Sequence, residues 1–433
     1  MSTMNAAAAA PPQDMRRIAT ASFIGTAIEF YDYYIYGTAA ALVLNELFFP
    51  SLSPLAGTLA ALSTFAVGFV ARPLGAILFG HFGDRIGRKA TLIVSLLLMG
   101  LSTAFIGLLP TYDTIGVAAP VILVILRVCQ GIGLGGEWGG AALLSTEHAP
   151  ANRRGLYAAA PQMGSPVGYF VATCVFWALS AWLPEEAFAS WGWRVPFLLS
   201  FALVVVGLLI RLKVAETPAF AAHMAKAESN QVPLWTVIRR HPKELLLGAG
   251  SILVVYIMFY TAATYCLTYT TTTLGIPRNT MLGLTLIAVV VLGVSTFLVA
   301  RMSDRHGRKK LIIAGAVWGI IWSFALFPLL ETKNLALIAL ALSGALLAMG
   351  IIYGPIGAFL PELFPTKVRY SGAGLAYNLG GLLGGGITPL VVAQIAETSG
   401  TAGVGWLLGG ISVVNLLCIL ALPETRHRDL EQV

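Results

Sequence analysis

Five ionisable residues stand inside long apolar runs of this chain: Glu29, Asp32, Arg72, Arg127 and Glu137. A charged group costs roughly 2.5–3.5 kcal/mol at the centre of a membrane helix, so each of the five needs a partner or a purpose. Three acids against two bases pair almost completely and leave one carboxylate able to exchange a proton. At a rise of 1.5 Å per residue, counting from Arg17 puts Asp32 about 22 Å above the inner boundary. Counting back from Ser145 puts Arg127 about 27 Å above it, and Arg72 and Glu137 each come out roughly 12 Å in, with Glu29 between. The expected pairs are Asp32 with Arg127 and Arg72 with Glu137. Asp32 or Glu29 is then the proton-coupling acid and Arg127 its switch, because a guanidinium holds a neighbouring carboxylate ionised and its departure lets the acid take a proton. A static ion pair bracing two helices is the competing reading.

The elements that must position these residues are membrane helices. The 433 residues are 57% hydrophobic and only 11% charged, against roughly a quarter charged in a soluble domain. Runs long enough to cross about 30 Å of hydrocarbon fall near 18–44, 55–80, 90–109, 117–145, 156–181 and 194–212, then near 245–269, 281–300, 311–330, 335–359, 371–396 and 403–422. The apolar–polar alternation of a membrane β-barrel is absent. The expected fold is all-α and integral to the membrane, with twelve transmembrane helices in two pseudo-symmetric six-helix halves. The halves are 18–212 and 245–422, flanked by a cytoplasmic tail at 1–17, a cytoplasmic linker at 213–244 and a cytoplasmic tail at 423–433. With both termini inside, 22 Lys and Arg lie in inner segments and three, Arg194, Arg278 and Lys333, in outer loops, a strong positive-inside bias. The net charge of +7 therefore reports topology and not nucleic acid.

Other chemistries are excluded by residue type. Cys129, Cys174, Cys266 and Cys418 lie in apolar runs and have neither metal-ligand nor disulfide spacing. The six histidines fall in inner loops or the tail. No metal site, cofactor or enzyme nucleophile is expected. The Gly-rich run from Gly131 to Gly140 follows no strand, so it is not a dinucleotide fingerprint; it lets helices approach closely.

The halves repeat each other. Gly80-x-x-x-Asp84-Arg85-x-Gly87-Arg88-Lys89 recurs as Asp304-Arg305-x-Gly307-Arg308-Lys309, 220 residues on, and Glu147-x-x-Pro150 with Arg154 recurs as Glu362-x-x-Pro365 with Arg369. These charges, Asp84, Arg85, Arg88, Glu147 and Arg154 with Asp304, Arg305, Arg308, Glu362 and Arg369, are expected to form a cytoplasmic gate. The second half lacks intramembrane charge, so a solute must be held there by neutral groups. Tyr256, Tyr260 and Thr264 share one stripe of the seventh span, and Gln162, Tyr353 and Asn378 are further cavity candidates. Phe65, Trp318 and Trp322 read as lipid-facing packing.

The Gly-x-x-x-Asp-Arg-x-Gly-Arg-Lys segment resembles the signature of the major facilitator superfamily. Together with Glu29-Phe-Tyr-Asp32, Arg72-Pro-Leu-Gly75, Gly136-Glu137-Trp138-Gly139 and Trp191-Gly-Trp-Arg194, it is similar to the metabolite:proton symporters, which include carriers of shikimate, α-ketoglutarate, citrate and proline/betaine. The resemblance implies proton-coupled uptake of a small organic acid by alternating access, in a bacterial inner membrane. It further implies a carboxylate-type substrate, protons and lipid as partners, and a monomer. Asp32 and Arg127 match positions that proton-coupled sugar porters use for coupling, and Glu216 and Glu424 resemble acidic partners seen there. An efflux antiporter or a zwitterionic osmolyte symporter is the alternative.

Overall fold

A computed structural model of the chain describes residues 15–86, 88–135, 145–146, 149–213, 233–365, 368–426 and 428. Among them every regular element is helical, as a chain needs when hydrocarbon offers its backbone no hydrogen-bond partner. The first set comprises α1 (Met15–Leu42), α2 (Pro54–Ile86), α3 (Arg88–Leu108), α4 (Ala118–Gly135), α5 (Arg154–Trp182) and α6 (Val195–Lys213). The second comprises α7 (Pro242–Thr272), α8 (Arg278–His306), α9 (Arg308–Glu331) and α10 (Leu335–Glu362), then α11 and α12. α11 starts at Arg369, α12 ends at Ala421, and the backbone breaks between them at Gly400, φ 69° and ψ 178°, which glycine adopts without steric cost.

Nine segments of the described residues are long and apolar enough to span a bilayer on hydropathy alone. Local causes account for the other three. Glu29, Asp32 and four tyrosines dilute α1, α3 contributes the shorter stretch Ile93–Leu108, and Arg369–Ala421 holds two spans in one. Leucine, isoleucine and valine side chains such as Leu74, Ile77, Val121, Ile125 and Ile321 stay exposed on the outer surface, where lipid covers them.

Within the first set α1 packs on α5, α2 on α4, and α3 on α4 and α6; within the second, α8 and α9 pack on α10, and α7 on α11. The two sets meet along α5 with α8 and α10, and along α2 with α11. The approach of α2 to α4 requires glycine: a Cβ added to Gly135 would stand 2.0 Å from the carbonyl oxygen of Arg72. α7 and α11 each contain a π-helical turn, Thr261–Tyr265 and Leu382–Gly386, the kind of irregularity that clusters at functional sites.

Two expectations about outward-facing aromatics are corrected. Phe65 is fully buried between α1 and α7. Trp318 and Trp322 stack on each other and donate their indole N–H groups to the carbonyls of Gly344 and Ala341 in α10, at 2.9 and 2.8 Å. Each ring thereby turns its polar edge onto a neighbouring helix and away from lipid.

Candidate functional site

A narrow cavity of about 10 Å³, room for roughly one water, lies between the two sets of helices. Arg72 of α2, Tyr34 of α1 and Ser165 of α5 reach it from one side. Tyr256 and Tyr260 of α7, Tyr353 of α10 and Tyr377 of α11 reach it from the other. A second hollow, lined by Gly37, Thr38, Tyr169 and Thr264, is separated from the first by Tyr34, Phe259 and Tyr260, which line both.

Arg72 is the cavity's charge. Its guanidinium lies over the rings of Phe69 and Tyr33, 4.1 and 4.3 Å from their centroids, and the residue is 3% exposed. Among the described residues its Nε and Nη2 are buried and have no hydrogen-bond partner. The Tyr33 and Tyr353 hydroxyls are unpartnered in the same way. Buried polar groups in proteins are nearly always paired, and exceptions call for an explanation. Arg72 and Tyr353 line the cavity, and a guanidinium fork suits a planar anion.

Arg127 has a different environment. It does not form the expected ion pair with Asp32: neither Asp32 oxygen has a hydrogen-bond partner. Instead Arg127 donates from Nε to the Thr64 carbonyl and from Nη2 to the Phe65 carbonyl, both at 3.3 Å, and lies 3.9 Å over the Tyr36 ring. Its Nη1 donates to Gln130 Oε1. Gln130 in turn donates to the backbone carbonyl of Asp32 at 3.0 Å and to Thr103 Oγ1 at 2.8 Å. Asp32 and Arg127 are thus tied through Gln130 and the backbone. Depths of about 22 and 27 Å from a 1.5 Å rise put the two residues within reach of each other, but the Arg127 guanidinium is taken up by the carbonyls of α2 and by Gln130. Gln130 escaped sequence reasoning although it stands one helical turn after Arg127, where a carboxamide can serve a guanidinium.

The remaining candidates separate by location. Tyr256, Tyr260 and Tyr353 line the central cavity and Thr264 the second hollow. Gln162 and Asn378 bridge helices of opposite sets: Gln162 donates to the Tyr353 carbonyl at 2.7 Å, and Asn378 to the Gly135 carbonyl at 3.3 Å. Glu29 is buried and engaged. Glu137, Glu147 and Glu216 lie outside the described residues, as do the side chains of Asp84, Arg85 and Arg88.

Among the described residues, polar contacts join the two sets at each end of the bundle. On the face bearing Arg154, Arg308 and Arg369, the Asp304 carboxylate accepts the backbone N–H groups of Gly155 and Leu156 across the divide, at 2.8 and 2.9 Å. Asp304 also pairs with Arg308 at 3.1 Å, and Arg308 with Glu362 at 3.3 Å. Thr425 donates to Glu362 at 2.5 Å, and Glu424 accepts the first backbone N–H groups of α9 from Arg308 and Lys309. Arg154 donates to the Arg428 carbonyl and Arg369 to the Phe364 carbonyl, while Arg305 is exposed. On the opposite face Arg278 pairs with Glu185 at 2.7 Å and Thr268 donates to the Ala41 carbonyl.

Asp304 is the acceptor that joins the sets on the basic face. Asp304→Asn keeps the shape and loses the charge, and charge-assisted hydrogen bonds contribute about 1.5–3 kcal/mol. The variant is expected to open that face roughly tenfold more often. A cysteine placed at Ser165 in a background lacking the native cysteines, labelled by an impermeant thiol reagent from each side, would report this. Equal labelling of variant and parent would show that Asp304 is not a clamp.

A family model described as Major Facilitator Superfamily matches residues 22–385 and 281–432. The chain is 46% identical over 428 residues to the inner membrane metabolite transport protein YhjE of Escherichia coli K12, covering 97% of each. It is 39% identical to the shikimate transporter of the same organism, covering 88% of this chain and 87% of that one. Among solved structures, the xylose transporter XylE of E. coli in a partially occluded inward-open conformation superposes with a TM-score of 0.76 at 21% identity, over 96% of this chain and 99% of that one. That likeness shows the fold. A twelve-helix bundle with a cavity between its two halves and charge clusters joining them at the basic face is what this sequence builds, and the chain belongs to the major facilitator superfamily of transporters.

Proposed function

We propose that the protein is a proton-coupled importer of a small organic acid, with Arg72 as the site of the substrate carboxylate and Asp32 as the coupling acid. The observation that carries this reading is the buried guanidinium of Arg72, with Nε and Nη2 unpartnered among the described residues, beside a cavity lined by Tyr34, Tyr256, Tyr260, Tyr353 and Tyr377. A carboxylate there would receive two parallel N–H···O bonds and cancel the charge. The shikimate transporter among the relatives, by its name a carrier of a hydroxylated carboxylic acid, supports the substrate class. As a carboxylate, Asp32 would hold an uncompensated charge in the interior, which a bound proton removes. Binding both ligands would neutralise the buried charges before the carrier changes its opening, and the charge bias of the loops supports a cytoplasmic basic face with both termini inside.

The test is uptake of labelled carboxylates into vesicles containing the purified protein. Accumulation driven by an inward proton gradient and lost with a protonophore is expected. Accumulation indifferent to the protonophore would remove the coupling, and uptake of a zwitterion in preference to every carboxylate would remove the substrate class.

A further inference from the structure

The carboxyl of Asp32 is not among the groups that line the cavity. It lies fully buried in a notch between α3 and α6. A Cβ built on Gly100 of α3 would stand 3.5 Å from Asp32 Oδ2 and 1.8 Å from Cγ2 of Val204 of α6. Ser200 is fully buried one turn before Val204 on the same face of α6, between Val204 and the Pro196 level. The hydroxyl and both carboxyl oxygens are buried without a bond that meets hydrogen-bond geometry. Tyr31 donates to the Pro196 carbonyl at 2.9 Å and pins α1 to α6 at this level.

The other polar neighbours are committed elsewhere. Arg127 of α4 is held by carbonyls of α2, and both N–H bonds of the Gln130 carboxamide are used. Thr103 of α3 donates to the Met99 carbonyl. Glu29, one turn earlier on α1, is an acid with its own contacts, and Gly100 has no side chain. Among the described residues, the buried α6 hydroxyl of Ser200 is left without a hydrogen-bond partner.

We propose that Ser200 is a positioning residue for the proton on Asp32. This rests on the reading of Asp32 as the coupling acid. A hydroxyl donates and accepts by simple rotation, so it can donate to the carboxylate and accept from the acid without any helix moving. The proton is then held on the α3–α6 side of α1, apart from the substrate, and proton and substrate communicate through the displacement of α1 and not by contact.

Infrared difference spectra of the full-length protein in lipid, taken through a pH titration, read the group directly and need no substrate. A carboxylic acid carbonyl band absent from Asp32→Asn is expected in the parent. In Ser200→Ala that band should change frequency, with its midpoint displaced by about one pH unit, the size of one charge-assisted hydrogen bond. Ser200→Thr should restore both, and Ser200→Cys, a weak donor of similar size, should behave as alanine does. The helical amide band in the same spectra reports folding. A band unchanged in Ser200→Ala and Ser200→Cys would overturn the role of Ser200 and leave Asp32 as the coupling acid. A parent spectrum with no band that Asp32→Asn removes would overturn the coupling acid itself, and the role of Ser200 with it.

Discussion

Arg72→Gln is expected to abolish detectable uptake of the acid substrate while leaving the folded carrier in the membrane. Truncating one partner of a buried, hydrogen-bonded charge pair costs about 2–5 kcal/mol, which is roughly 30-fold to several thousand-fold in affinity. The fold should tolerate the change because, among the described residues, Nε and Nη2 of Arg72 have no hydrogen-bond partner. Arg72→Lys keeps the charge but loses the planar fork and its stacking on Tyr33 and Phe69, so an intermediate loss is expected. Competition by the substrate's neutral amide supplies the specific readout. The parent should prefer the acid strongly, and in Arg72→Gln the preference should vanish. An undiminished preference for the acid would place the anion elsewhere.

Asp32→Asn should split two activities that are normally inseparable. Asparagine preserves the volume and removes the exchangeable proton, so gradient-driven accumulation should fall to background. Exchange of labelled for unlabelled substrate across vesicles should persist at a rate within a few-fold of the parent, because exchange moves no net proton. Glu29→Gln is the internal comparison, and a single coupling acid requires that only one of the two variants show the split. Arg127→Ala is expected to fail earlier, at expression, since it strands the carbonyls of Thr64 and Phe65 and the Gln130 carboxamide in the interior. Accumulation by Asp32→Asn equal to that of the parent would reduce Asp32 to a structural residue.

Much of this was legible because membranes simplify the code. Twelve apolar runs, loops biased in Lys and Arg, and two copies of a charged motif required only composition and spacing. The level of Asp32 and Arg127 in the membrane also followed from a rise per residue. Which way each side chain points did not, because azimuth depends on how neighbouring helices pack. Gly75 and Gly135 bring α2 against α4, and that contact hands Arg127 a set of backbone carbonyls instead of a carboxylate. The same difficulty misplaced Phe65, whose run of neighbours is apolar whether it meets lipid or Tyr260. Asn378 and Gln162 looked like cavity polars and proved to be ties between sets, since an amide within reach of a free carbonyl satisfies itself there. The π turns left no mark in hydropathy, which averages over them.

Those turns make the two halves mechanically unequal. Among the described residues, the half that holds Asp32, Arg72 and Arg127 has ordinary helices pressed together at glycines, so its charged groups keep fixed spacings. The half that holds Tyr256, Tyr260 and Tyr377 has a slack residue in α7 and another in α11, both flanking the cavity. A π turn that tightens to α shortens the local path and rotates what lies beyond it. On the function proposed above, the half with the π turns would adapt its shape to different solutes and the other half would carry the proton. Variation that broadens the range of transported molecules should accumulate around residues 261–265 and 382–386 before it reaches the charged helices.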